Sequence, residues 1–150
     1  MLKRILTIAL LVLLMTPAVA NASENKVLII GLDGADWDII DPLLEEGKLE
    51  NIERVIEEGD RCNLNSSRPS MSPVAWTTFA TGKNPGKHGV FSFIRKKNGK
   101  FLPLTSEDIM TESLWDITSE NNLTSLVINV PMTYPPHEIK GKMIAGYLSL

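Results

Sequence analysis

Asp33 and Ser72 are the two side chains whose type and setting could handle an oxyanion. Asp33 closes the apolar run KVLIIGLD (26–33) and is followed by Gly34, and Ser72 directly precedes Pro73 in the stretch SPVAWTTFATGKNPGKHGV (72–90). A divalent cation held by a carboxylate, with a hydroxyl ionised beside it, is the minimum from which phosphoryl transfer can be built. Asp-Gly and Ser-Pro are each common in any protein. The two segments together in one chain carry the signal.

Each residue has two readings on spacing alone. Asp33 is either a turn aspartate after a strand or a metal ligand at the carboxyl end of that strand, where open α/β sheets bind their ligands. Gly34 would allow the backbone to come close. Ser72 is either a helix N-cap, with Pro73 at the first helical position, or a nucleophile at the helix's positive end, which favours an oxyanion and an incoming phosphate. A free serine is a poor nucleophile at neutral pH and needs a metal or a base to hold it as alkoxide.

The elements that must position these groups follow from periodicity. KVLIIGLD reads as a parallel strand buried on both faces. Asp36 and Asp38 open a helix whose apolar positions Trp37, Ile40, Leu43 and Leu44 recur at helical spacing, with Gly47 as its stop. A second amphipathic helix spans 50–58, carrying Asn51 near its start, Ile52, Val55 and Ile56 on one face and Gly59 after it. A short strand is expected over 61–65, then a Ser- and Pro-rich loop, then a helix over 73–81 closed by Gly82. Beyond it come a hairpin near 91–95 and 100–104 around Asn98-Gly99 and a helix over 113–120 capped by Thr111 or Ser113. A second buried strand at 125–130 and a last apolar strand at 143–148 complete the chain. This order predicts α/β with a mostly parallel sheet. Trp37, Trp76 and Trp115 fall on apolar helical faces and are expected in the core.

IIGLDGADWD (29–38) followed by Ser/Thr-Pro-x-Ala-Trp-Thr-x-Phe-x-Thr-Gly-x-x-Pro-Gly-x-His-Gly (72–89) resembles the type I phosphodiesterase/nucleotide pyrophosphatase group of the alkaline phosphatase superfamily, and NVPMTYPP (129–136) resembles a later block of that group. The resemblance covers nearly all of 26–150. It implies an alkaline-phosphatase-like, doubly wound, mostly parallel sheet with flanking helices, and a phosphoester hydrolase working at two divalent metal ions, usually zinc. Asp33 would then ligate one metal, and Ser72 would be the nucleophile bridging towards both. Two cations at one site stabilise the attacking and leaving oxygens of an in-line displacement and lower the hydroxyl's pKa.

Three features depart from the group's pattern. Position 75, where nucleotide pyrophosphatases carry an asparagine that contacts a phosphoryl oxygen, is Ala75. Pro73 has no N–H to offer an oxyanion. The group's distal Asp-His-Gly block is absent, and only His88 and His137 are present, too few for two zinc sites. His88 reads as structural and His137 as an exposed loop residue. The chain is therefore expected to be the N-terminal portion (23–150) of a truncated catalytic domain, inactive or nearly so alone. A different phosphoester is as good a substrate as a nucleotide. A phosphoglycerol transferase or sulfatase would share the same half-site, and a non-catalytic exported or cell-envelope binding domain is the competing class.

Other signals are bland. TGKNPGKH has its glycines too close for a phosphate-binding P-loop and no Ser/Thr after Lys87. Cys62 lacks the Cys-x-Pro-x-Arg setting of a sulfatase nucleophile and is expected to pack as a small apolar side chain. Residues 1–22 read as an export signal, with Lys3 and Arg4, the apolar stretch 5–15 and small-residue cleavage sites at 18–20 or 20–22. The apolar stretch is shorter than the roughly 20 residues that span a bilayer. A retained anchor is the alternative, and no other membrane span is expected. The formal charge of −3 and the lack of a basic face argue against a nucleic-acid polymer as partner. A small phosphoester is the expected partner. Arg95, Lys96, Lys97 and Lys100 form the densest positive patch, read as a solvated hairpin turn or as a phosphate or lipid contact.

Overall fold

The computed structural model describes residues 26–146. The leader read at 1–22 and the end of the strand read at 143–148 lie outside them. The chain divides into two compact units, one ending at Gly34 and one beginning at Ala35.

In the first unit the described residues are 26–34. They form no strand, and Val27, Leu28 and Ile30 are 81%, 84% and 74% exposed. The expected doubly buried strand is thus not seen. Burial on both faces needs a ladder on the strand edges and a layer over each face, and neither sheet among the described residues includes this run.

The second unit begins with α1 (Trp37–Glu45). Asp36 caps it, its carboxylate accepting the Asp38 N–H at 3.0 Å. Gly47, at φ 67, turns the chain out of it, and α2 (Glu50–Glu58) follows. Neither helix buries a residue. What fixes α1 is polar: the Arg61 guanidinium lies 3.8 Å from the Trp37 ring centroid and pairs with Asp41 at 2.8 Å, while Trp37 Nε1 donates to the Cys62 carbonyl at 3.3 Å. Trp37 is half-buried here rather than in a core. Residues 61–65 form no strand. Cys62 is exposed, which corrects its expected packing, because this backbone is tied down from its carbonyl side and not through its side chain.

The core begins at α3 (Ser72–Thr81), which buries Pro73, Val74, Thr77, Ala80 and Thr81. Two threonines can be buried because their hydroxyls donate to the carbonyl four residues earlier, Thr77 to Pro73 at 2.6 Å and Thr81 to Thr77 at 2.7 Å. Gly82, at φ 62, ends the helix with its N–H on the Thr78 carbonyl. One turn, α4 (Pro85–His88), packs back on α3. Next comes the hairpin of β1 (Ile94–Lys97) and β2 (Lys100–Pro103). Asn98 and Gly99 both have positive φ, 51 and 76, the two-residue turn whose twist matches the strands.

A 3-10 turn (Ser106–Asp108) leads to α5 (Leu114–Glu120). Ser113 is its cap, in a reciprocal box with Asp116. Strands β3 (Ser125–Val130) and β4 (Gly141–Ala145) pair in parallel, Ser125 opposite Gly141. Ala80 of α3, Trp115 of α5 and Val127 of β3 form the core, joined by Val130, Ile139 and Met143. The opposite face of the pair shows Leu126, Ile128 and Ile144, 68%, 56% and 61% exposed. β3 is therefore covered on one face, not the two its apolar run suggests, because the described residues supply only one helical layer. The architecture is α/β, with one antiparallel and one parallel strand pair among the described residues.

Candidate functional site

Ser72 occupies the first helical position of α3, half-buried. The cap is Met71, in extended conformation (φ −139, ψ 143), whose carbonyl accepts the N–H groups of Val74 at 3.0 Å and Ala75 at 2.9 Å. The expected Ser-cap, Pro-first register is thus shifted by one, with Pro73 second. Proline's fixed φ suits both early positions. The shift moves the Ser72 hydroxyl into the first turn, where the helix dipole favours negative charge.

His88 braces α3 from the loop that follows it. The ring is fully buried. Its Nδ1 accepts the Val90 N–H at 3.1 Å, which places the ring proton on Nε2, and Nε2 donates to Thr78 Oγ1 of α3 at 3.1 Å. The His88 carbonyl accepts from Met110 N at 3.1 Å. Burial pushes the imidazole's pKa below its usual value of 6.5. His88 is a neutral strut joining α3, the 83–90 loop and the segment before α5. Its structural reading from sequence agrees with this geometry.

Asp33 lies in an exposed turn, with Gly34 at φ 71 after it. It belongs to the unit that ends at Gly34, and Ser72 belongs to the other. Each is placed within its own unit. Among the described residues no three His, Cys, Asp or Glu side chains gather into a metal-binding group.

The block 129–136 sits at the carboxyl ends of the parallel strands. Thr133, 2% exposed, donates to the Val130 carbonyl at 2.6 Å and accepts the Gly146 N–H at 3.0 Å, tying the end of β3 to the end of β4. Asn129 and Met132 have φ 55 and 66, unusual for residues other than glycine. Ser106 fastens the block from outside: its N–H donates to the Tyr134 carbonyl at 2.8 Å and its hydroxyl to the Pro135 carbonyl. This is the end of a parallel sheet where ligands bind.

His137 is not the exposed loop residue its sequence suggests. Its Nδ1 lies 2.9 Å from Asp116 Oδ1, and both side chains are partly buried. Burial alone would raise the Asp116 pKa, but hydrogen bonds from His137 and Ser113 outweigh it and hold the carboxyl below its usual value of 3.8. The Ser113-x-x-Asp116 box is legible in sequence. The partner 21 residues further on is not, since nothing local encodes it.

Comparison with known proteins bears on all of this. No curated protein and no solved structure matches the chain. Residues 27–149 match the family described as Type I phosphodiesterase / nucleotide pyrophosphatase, a span that takes in Asp33, the α3 segment and the 129–136 block. Phosphoester hydrolysis is the activity this match suggests, and the chain belongs to that family.

Proposed function

We propose that this chain carries the nucleophile segment of a metal-dependent phosphoester hydrolase of phosphodiesterase or phosphatase type. Ser72 is the nucleophile, and Asp33 is a ligand to one of two divalent metal ions, zinc by resemblance. The observation that carries the reading is the setting of Ser72: its hydroxyl opens a ten-residue helix whose other face is buried and whose far half is held by a neutral, buried histidine. Such a scaffold fixes a hydroxyl where a phosphoryl group would meet the helix's positive end. The family match supports the reaction class.

The rest of the reading extends the same argument. The substrate is a small phosphoester, and Ala75 has no amide to contact a phosphoryl oxygen as the asparagine of nucleotide pyrophosphatases does. The remaining metal donors come from residues outside the described set. The complete domain is doubly wound, with β3 and β4 as part of a larger parallel sheet, and the protein is exported by its 1–22 leader. Metal would supply charge neutralisation at the phosphoryl oxygens. This chain's own part is to hold the serine and orient it.

The test is hydrolysis of a chromogenic phosphodiester and phosphomonoester by protein expressed from its complete coding region, with the 150-residue chain assayed beside it. Ser72→Ala should lower kcat by on the order of a thousandfold or more while elemental analysis still finds about two metal equivalents per protein. Activity of Ser72→Ala equal to the parent would sink the nucleophile assignment. Robust hydrolysis by the 150-residue chain alone would sink the proposal that its metal site is incomplete.

A further inference from the structure

The β1–β2 hairpin is used by nothing described so far. All eight of its strand residues are exposed. Its base is fixed: Leu104 N donates to the Phe93 carbonyl at 2.8 Å, and Arg95 pairs with Asp108, whose carboxylate also accepts the Thr105 N–H at 2.9 Å. That ion pair absorbs one of the four cations. Lys96, Lys97 and Lys100 remain, with no ion pair among the described residues and no acid between 94 and 103. Lys97 and Lys100 stand directly opposite each other across the ladder, a like-charge pairing that costs stability unless an anion relieves it.

The apolar residues share the same faces. Cross-strand partners point to one side, so Lys96 stands beside Phe101, 68% exposed, and Ile94, 50% exposed, lies on that face too. Leu102 lies with Lys97 and Lys100 on the other face. In a chain of formal charge −3, this is a segregated cationic arm with apolar residues on both sides.

We propose that the β1–β2 hairpin docks on an anionic lipid surface through the face that carries Lys96, Phe101 and Ile94, these two apolar side chains entering the headgroup–acyl boundary while Lys96, with Lys97 and Lys100 beside the turn, meets headgroup phosphates. Lysine's apolar stem and charged head suit that boundary. A polyanion such as single-stranded RNA would use the lysines and could stack on Phe101. It would have no use for Ile94, which offers no aromatic plane to a base. The lipid surface uses both the lysines and the apolar side chains beside Lys96.

The experiment is co-sedimentation of the full chain with phosphatidylcholine vesicles, with and without phosphatidylglycerol, at low and high salt. Lys96→Glu/Lys97→Glu/Lys100→Glu should weaken binding to the anionic vesicles by more than about a hundredfold, since loss of each lysine charge alone is worth roughly fivefold and each glutamate adds repulsion, and should remove its salt dependence. The milder Lys96→Gln/Lys97→Gln/Lys100→Gln variant should fall between, and Phe101→Ser should weaken binding without changing the salt slope. Because every variant keeps residues 1–22, the differences report the hairpin. Circular dichroism should be unchanged, as each altered side chain is exposed. Equal binding of parent and triple-Glu variant, equal binding to vesicles with and without phosphatidylglycerol, or preferential binding to single-stranded RNA would each overturn the proposal.

Discussion

His88 shows how one side chain can serve a site without touching its chemistry. Three separate segments meet at its ring and carbonyl: α3 through Thr78, the following loop through Val90, and the approach to α5 through Met110. The ring works only when neutral, because protonated Nδ1 could no longer accept the Val90 N–H. Its folded pKa lies below the unfolded value near 6.5. The unfolded chain therefore takes up a proton first as pH falls, and stability is complete above that value and lost progressively below it. The melting temperature of the parent should drop between pH 7.5 and pH 5.5 more steeply than that of His88→Gln, which cannot titrate there. Parallel melting curves for the two proteins across that range would refute the strut. Asp116 follows the same sign in a lower window. Its carboxyl is held below 3.8, so the stability it lends is present above that value and lost in more acid solution.

At the scale of elements, two contacts decide whether the second unit holds together. Trp115 is the largest member of the core, at 5% exposure. Trp115→Ala should cost about 3–5 kcal/mol, read by urea denaturation. Trp115→Phe should cost less, since the buried Nε1–H has no partner among the described residues and its removal loses no hydrogen bond. The parallel pair depends on Gly141. Its φ is 145, and an added Cβ would stand 1.7 Å from the Ser125 carbonyl oxygen, the residue paired with it across the ladder. Gly141→Ala should therefore cost about 3 kcal/mol or more and unzip β3 from β4. Amide exchange that stays slow at 126–130 in this variant would contradict that.

Across the whole molecule the dominant feature is apolar surface left in solvent. One face of the β3–β4 pair presents Leu126, Ile128 and Ile144, and the run before Asp33 presents Val27, Leu28 and Ile30. Exposed apolar patches of this kind mark interaction surfaces or association hazards. The purified chain should self-associate in sedimentation velocity with rising concentration. Ile128→Thr/Ile144→Thr should reduce that association while preserving strand propensity. A monomer at all concentrations would show the face to be innocuous. The same surface bears on the proposed function, because a larger parallel sheet with a second helical layer is what would cover it.

Much of the local order that depends on neighbours along the chain was legible, though the 61–65 strand is not formed and the α3 cap falls on Met71 rather than Ser72. The α2 boundaries, the Asn98-Gly99 hairpin, the Gly82 stop of α3 and the Ser113 cap all follow from side-chain spacing and from which residues tolerate positive φ. The Asp33 and Ser72 segments were legible for the same reason, as residue types in order. What the sequence could not state is which apolar runs find a cover. KVLIIGLD and SLVINV read alike, yet one joins no sheet among the described residues and the other packs a single face on Trp115 and Ala80. Nor could it pair His137 with Asp116 or leave Cys62 in solvent. Burial and ion pairing depend on residues brought together from distant parts of the chain, and only tertiary structure sets those distances.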